Sequence, residues 1–284
     1  MTNKYQLANE MANETIKYIS KSSENWIEFS NTASSKREKM IEYIDIIMPV
    51  YNCEKYIGSA IESVQRQTYN KWKLIIINDN SSDDTKKEIE KRLNDKILFI
   101  NLKKHVGVAE ARNIGIRNSE NQYIAFLDAD DIWLEEKLQK QLEFVKKNDY
   151  GFTYTSFTYL KDGRKKDVNK IPQSLDYKQA LKNTIILTST VLINKEKVKE
   201  IYMPNIPSED TATWWKILKS GIKAYGLNER LTIYRITQQG LSSKKFRNLG
   251  RTWNLYRKQE GFSCIRTIYY FLWYVLNAIK KRVI

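Results

Sequence analysis

Three carboxylates within four residues close an apolar run at Ala125-Phe126-Leu127-Asp128-Ala129-Asp130-Asp131. Carboxylates packed this closely repel one another, so a cation belongs among them. Oxygen ligands favour a hard divalent ion such as Mg2+ or Mn2+, commonly shared with a substrate phosphate. The competing use of Asp130 or Asp131 is to cap a helix over Leu134-Glu135-Glu136-Lys137. Two more polar clusters, Tyr51-Asn52-Cys53-Glu54 and Asp79-Asn80-Ser81-Ser82-Asp83-Asp84-Thr85, also follow apolar runs. Caps and turns explain each cluster singly; three of them ending three strands describe a site.

The elements that must position them alternate along the chain. Ile44–Val50 predicts a strand, and Tyr56, Ile57, Ala60, Ile61 and Val64 recur at helical spacing. Lys73–Asn78 holds the continuous apolar run Leu74–Ile77, as in a strand covered on both faces. A charged helix through Leu93, a strand over Ile97–Ile100, a small-residue helix over Gly107–Gly115 and a strand over Tyr123–Leu127 complete the pattern. Strand–helix alternation of this kind predicts a parallel sheet with right-handed crossovers. Ligands bind such sheets at the carboxyl ends of the strands, where all three polar clusters fall. Downstream, Ile185–Ile193 reads as one more strand, bordering a second pocket through Ser189 or Thr190.

In this order and spacing, Pro49-Val50-Tyr51-Asn52-Cys53-Glu54, the Asn78–Thr85 loop, Gly107–Gly115 and Asp128-Ala129-Asp130-Asp131 resemble the nucleotide-binding half of family 2 glycosyltransferases with the GT-A fold. The resemblance runs over residues 44–240. It implies an α/β, Rossmann-like, mostly parallel central sheet flanked by helices. It implies that Pro49, Val50 and Tyr51 line a nucleoside, with the Tyr51 ring available for stacking. Asn52 and Glu54 would hold their loop or reach the ribose. Asp79 would accept the ring N–H of uracil. His105, the one histidine in the chain, would face the nucleotide, and Arg112 would point its fork toward the nucleotide or the aspartates. Asp128 would contact ribose or metal, and Asp130 would bind an Mn2+ or Mg2+ ion bridging the diphosphate.

The segment Pro207-Ser208-Glu209-Asp210 resembles the family's acidic pair on the acceptor side, which implies Asp210 as general base and Glu209 as its neighbour. One base suffices where a nucleotide diphosphate leaves without a protein acid. Ser208 and the two acids also suit the start of a helix over Trp214–Leu218. Three departures from the family pattern stand out: Asn78 where an aspartate is common, His105 where an asparagine is common, and Thr237 where a histidine is common. Gln238–Lys245 reads as a loop able to close over the diphosphate, with Arg235, Lys244 or Lys245 as its cations.

Composition bounds the rest. The 284 residues suffice for one large domain with additions. Three segments are expected: a polar extension over 1–40 with a Trp26, Ile27, Phe29 cluster; a GT-A domain over 41–240, divided at 131/132; and a C-terminal loop and helix over 241–284. Met1–Met40 lacks the apolar core of a secretory signal, and two cysteines fit a reducing cytosol. The net charge of +15 admits nucleic acid, anionic lipid or a phosphorylated substrate. Basic residues are scattered without a recognition motif, which argues against nucleic acid. The tail favours lipid. Ile265, Ile268, Tyr269, Leu272, Val275, Leu276 and Ile279 share one helical face, with Arg266, Lys280, Lys281 and Arg282 at its flanks. The apolar core Ile268–Leu276 is shorter than the ~20 residues needed to span a bilayer. Packing of this helix on the domain or on a second subunit is the other reading.

The expectation is therefore an inverting transferase that moves a hexose or N-acetylhexosamine from a UDP-sugar to a glycan acceptor on a lipid carrier, in surface polysaccharide assembly. It would work in the cytoplasm, peripheral to the inner face of the cell membrane. The alternatives are a nucleotidyltransferase, which should carry a glycine-rich phosphate loop where Tyr51–Glu54 stands, and a basic nucleic-acid-binding protein.

Overall fold

The structure, a computed structural model, describes residues 42–237 and 245–283, with side chains of the C-terminal segment over 249–277. The polar extension with Trp26, Ile27 and Phe29, the stretch 238–244 and the side chains of Lys245, Ile279, Lys280, Lys281 and Arg282 lie outside the described residues. The elements below all belong to the unit Tyr43–Ile284.

Strand β1 (Ile44–Val50) leads through helix α1 (Ile57–Gln65) to β2 (Trp72–Asn78). Helix α2 (Thr85–Glu90), strand β3 (Ile97–Asn101), helix α3 (Val108–Arg117) and strand β4 (Tyr123–Phe126) come next. These four strands pair in parallel in the order β3-β2-β1-β4. Alternate residues of β1 and β2 enter opposite layers. Ile47, Ile75 and Ile77 join one core with Ala109 and Ala111 of α3. Ile46, Met48, Leu74 and Ile76 join the other with Ile57, Ala60 and Ile61 of α1. A strand covered on both faces draws apolar residues to nearly every position, the exceptions here being Asp45, which bonds Ser119 and Asn121, and Lys73 and Asn78 in β2. Pro49 sits where the ladder to β4 has ended: the last bond on that side runs from Leu127 N–H to Ile47 C=O.

The second half begins with the short β5 (Ile132–Trp133) and α4 (Lys137–Asn148). Strands β6 (Phe152–Lys161), β7 (Arg164–Asp167) and β8 (Ser174–Leu175) precede helix α5 (Tyr177–Leu181). A 3-10 turn over Thr188–Thr190 leads into β9 (Val191–Asn194), and then come α6 (Glu209–Lys219) and β10 (Ala224–Arg235). The sheet continues from β4 through β9, β6, β10 and β5 with mixed pairing: β4–β9 and β9–β6 are antiparallel, β6–β10 parallel, β10–β5 antiparallel. Parallel order is thus concentrated in the first half. The strand expected over Ile185–Ile193 is shorter: only its last three residues enter β9, because Thr188, Ser189 and Thr190 turn inward to bond buried partners.

The chain ends in α7 (Lys245–Asn254), a π-helical turn (Leu255–Gln259) and α8 (Cys264–Val283). This region packs on the acceptor half. Tyr256 stacks on Trp215 of α6 at 5.2 Å, and Phe262 and Tyr270 lie beside it. The opposite face of α8 stays bare, with Ile265 83% exposed and Ile268, Tyr269, Leu272 and Leu276 also exposed. Packing on the domain thus accounts for one face of the tail helix and leaves the other open.

Gly115 sets how closely α3 lies on the sheet. A Cβ there would stand 2.4 Å from Ile47 Cγ2 and 2.9 Å from Ile77 Cδ1. Gly115→Ala should therefore lower stability by about 1–3 kcal/mol through overpacking. Gly250 in α7 faces open space, so Gly250→Ala should raise stability by about 0.5–1 kcal/mol. Urea denaturation of the two variants checks the opposite signs.

Candidate active site

The parallel order of β2, β1 and β4 delivers their carboxyl ends, and the loops after them, to one edge. The first two loops are laced together. Asn52, at φ +47°, accepts from Ser82 N–H at 2.8 Å and donates its own N–H to Ser81 Oγ at 2.9 Å. Glu54 accepts from Asp84 N–H at 3.1 Å, and Cys53 N–H donates to Thr85 Oγ1 at 2.7 Å. Asn52 and Glu54 are thus placed as loop braces. Asp83 accepts from Thr85 N–H at the start of α2. Burial first, and the charges of Asp130 and Asp83 next, push the Cys53 thiol up to about 12, which keeps it protonated.

Asp79 lies at the end of β2, and its N–H bonds to Val50 C=O at 2.8 Å. Its buried carboxylate accepts from Val106 N–H at 2.7 Å and Gly107 N–H at 2.8 Å. His105 Nδ1 stands 2.9 Å from the same carboxylate. Gly107, at φ +90°, makes this turn into α3 possible. The His105 ring lies 4.3 Å from that of Tyr51, which is 48% exposed. Tyr51, Asp79 and His105 therefore come together, while Pro49 and Val50 are buried in β1 and form the floor beneath them. Asn78, the departure from the family pattern, bonds Asn101 at 2.6 Å and Ser81 Oγ at 2.6 Å and so ties β2, β3 and the loop.

The third loop divides its carboxylates. Asp131 turns into the protein, accepting from Ser189 Oγ at 2.5 Å and from Arg235 N–H at 2.9 Å. Burial, then the charges of Asp130 and Asp128, push its carboxyl well above the usual range. Asp128 accepts from Arg112 Nη2 at 2.6 Å, and its own N–H bonds Ser189 Oγ at 3.0 Å. Asp130 is half-buried, and its carboxyl is pushed up to about 6 by burial and then by the Asp128 charge. Neither Asp130 nor Asp131 caps a helix, since α4 begins at Lys137 with Glu136 before it.

Arg112 joins this loop to the acceptor half. Its buried guanidinium gives Nη2 to Asp128 and Nη1 to Glu209 Oε1 at 2.5 Å, across 97 residues of sequence. Burial opposes its charge, but Asp128, Glu209 and Asp210 more than offset this and keep it protonated. Burial and the neighbouring Asp210 raise the Glu209 carboxyl, against the pull of Arg112. Asp210 accepts from Thr188 Oγ1 at 3.0 Å and from Thr211 N–H at 2.6 Å. Ser208 makes no capping hydrogen bond and sits in the left-handed region at φ +62°, so its expected cap is absent. The Arg235 guanidinium lies over the Tyr56 ring at 4.6 Å. Thr188 and Ser189, expected on a strand, touch both acidic groups. The signal for them is three hydroxyl residues interrupting an apolar run.

Among the described residues no three His, Cys, Asp or Glu side chains converge as a ready-made metal cage. An ion held by one or two carboxylates and completed by substrate phosphates needs no such cage. Asp130, anionic and hemmed in by Asp128, is a donor of the kind that fits.

An open α/β sheet with three polar loops at its carboxyl edge, joined through Arg112 to an acidic pair at the start of α6, is the architecture of a GT-A glycosyltransferase. The model of glycosyl transferase family 2 matches residues 45–202, and the chain belongs to that family. It is 38% identical over 244 residues to the putative teichuronic acid biosynthesis glycosyltransferase TuaG of Bacillus subtilis, covering 84% of this chain and 97% of that one. It is 34% identical over 239 residues to WfgD of Escherichia coli, a UDP-Glc:alpha-D-GlcNAc-diphosphoundecaprenol beta-1,3-glucosyltransferase, covering 84% and 94%. The fold is similar to that of S. aureus TarS 1-349 in complex with UDP-GlcNAc, at 17% identity and a TM-score of 0.63, covering 83% of this chain and 72% of that one.

Arg112→Ala would leave the buried Glu209 and the half-buried Asp128 without their shared cation. A loss of about 3–5 kcal/mol is expected, read by chemical denaturation. Arg112→Lys keeps the charge but not the fork, and should recover only part of that loss.

Proposed function

We propose that this glycosyltransferase moves a hexose or N-acetylhexosamine from a UDP-sugar to a glycan acceptor on a lipid carrier, with inversion, in surface polysaccharide assembly. The observation that carries the reading is the Arg112 bridge. It holds the donor loop, with Asp128 and Asp130, against the helix bearing Glu209 and Asp210. The named activity of WfgD, the UDP-GlcNAc bound to TarS and the polysaccharide role in the name of TuaG support the same substrate classes.

Tyr51 and His105 would offer ring faces to the nucleoside above the Pro49–Val50 floor. Asp79 would accept the uracil ring N–H with a lone pair left after Val106 and Gly107, since a carboxylate has about four acceptor sites. Asn52 and Glu54 would fix the loop that carries Tyr51. Asp130, with Asp128 beside it, would hold an Mn2+ or Mg2+ ion, which when bound supplies positive charge to the leaving diphosphate. Arg112 would keep Asp128 and Glu209 in place. Asp210 would take the proton of the acceptor hydroxyl as its oxygen bonds to the anomeric carbon. The bond from that carbon to the diphosphate breaks, UDP departs with the electron pair, and attack from the opposite face inverts the configuration.

The bare face of α8, with Arg266 and the Lys280-Lys281-Arg282 run in its sequence, would rest on anionic lipid at the inner face of the cell membrane. None of the described helices is long and apolar enough to cross a membrane.

Two variants test the assignment by UDP release from UDP-glucose or UDP-GlcNAc with Mn2+ and alpha-D-GlcNAc-diphosphoundecaprenol as acceptor. Asp130→Asn should abolish the Mn2+ dependence of UDP binding in calorimetry and lower transfer by orders of magnitude. Full wild-type activity in EDTA would remove the metal from the mechanism. Asp210→Asn should bind UDP as the wild type does, yet lose about 10²–10⁴-fold in transfer. If it keeps most of its rate, Asp210 is not the base.

A further inference from the structure

We propose that the buried turn Thr188-Ser189-Thr190 is the positioning device of this active site, with Ser189 setting the donor carboxylates and Thr188 setting the base. The proposal rests on the reading of Asp210 as general base. Two adjacent side chains reach the two halves of the cleft. Ser189 Oγ donates to Asp131 Oδ2 at 2.5 Å and accepts from Asp128 N–H at 3.0 Å. It thereby pins both ends of the loop from which Asp130 projects. One residue earlier, Thr188 Oγ1 donates to Asp210 Oδ2 at 3.0 Å.

The turn itself cannot drift, because each of its neighbours holds it. The Ser189 carbonyl accepts from Trp133 Nε1 at 2.7 Å and from Thr232 Oγ1 at 3.3 Å, which ties it to β5 and β10. The Thr190 carbonyl accepts from Gln141 Nε2 at 3.0 Å, which ties it to α4. Thr190 Oγ1 closes the turn on Leu187 C=O at 2.7 Å. All three hydroxyl residues are buried. The turn also leads straight into β9, whose antiparallel pairing with β4 runs from Ala125↔Leu192 to Tyr123↔Asn194. That register is what lands residue 189 beside the carboxyl end of β4.

A base must be held in one rotamer to take a proton at the right moment, and a donor to its far oxygen does this. The Thr188 hydroxyl bonds the base, while the Ser189 hydroxyl bonds the carboxylate loop. Their defects should therefore separate kinetically, which general damage to the fold would not produce.

The test uses the full chain with Mn2+, alpha-D-GlcNAc-diphosphoundecaprenol as acceptor and whichever of UDP-glucose, UDP-galactose and UDP-GlcNAc the wild type transfers fastest, read by UDP release. Thr188→Val, of similar shape but without the hydroxyl, should lower kcat about tenfold or more and leave UDP affinity by calorimetry unchanged. Thr188→Ser should restore most of that rate. Ser189→Ala should instead weaken Mn2+-dependent UDP binding, by about three- to tenfold. Equal losses in kcat and UDP affinity for both variants would show a merely structural turn and overturn the proposal. An inactive Asp210→Asn beside a Thr188→Val at wild-type rate overturns this proposal alone. An Asp210→Asn at wild-type rate overturns the base assignment and this proposal with it.

Discussion

A single buried guanidinium between Asp128 and Glu209 is the constraint on which the site depends. Asp128, Asp130, Glu209 and Asp210 gather in one cleft, and four carboxylates cannot share a half-buried space without a cation. Arg112 offers two N–H pairs at fixed geometry and so serves two carboxylates from different halves of the chain. Such a bridge adds little net stability, because desolvation offsets much of the attraction. Its effect is on position. It fixes the start of α6 against the end of β4, and it leaves Asp130 and Asp210 as the acids not consumed by it.

The sheet explains why these groups meet at all. Parallel pairing of β3, β2, β1 and β4 sends every loop that follows a strand to one edge. Antiparallel pairing of β4 with β9 brings the 188–190 turn to that same edge from the opposite direction. Sequence-distant hydroxyls thus stand against the carboxylate loop. The switch from parallel to antiparallel order falls between β4 and β9.

The C-terminal helix shows a different use of amphipathicity. Its inward face completes an aromatic cluster with Trp215 and Tyr256, on the same helix α6 that carries the acidic pair. Its outward face leaves a stripe of large apolar side chains in water. Lys182 lies near the Tyr269 and Trp273 rings at 5.4 and 5.2 Å, adding positive charge to that stripe. The helix is therefore anchored by one face and bare on the other.

Much is legible in the chain's residues alone. The continuous apolar runs of β1 and β2 declare strands buried on both faces, and polar residues at their ends declare a carboxyl-edge site. The carboxylates at 128–131 and 209–210 are visible as residue types that water-exposed caps alone would not require together. Local chemistry determines these features, because period and residue type depend on near neighbours. The family resemblance sets Asp130 apart from Asp131, but residue types alone could not show that Asp131 turns inside to bond Ser189 and Arg235 N–H. Nor could they show Ser208 without a cap, Thr188–Thr190 as a turn instead of a strand, or Arg112 meeting a partner 97 residues away. Those outcomes depend on which strands pair, in which direction and at which register. Only the folded chain decides them, because a hydrogen bond between distant segments exists only after the whole sheet has placed both ends.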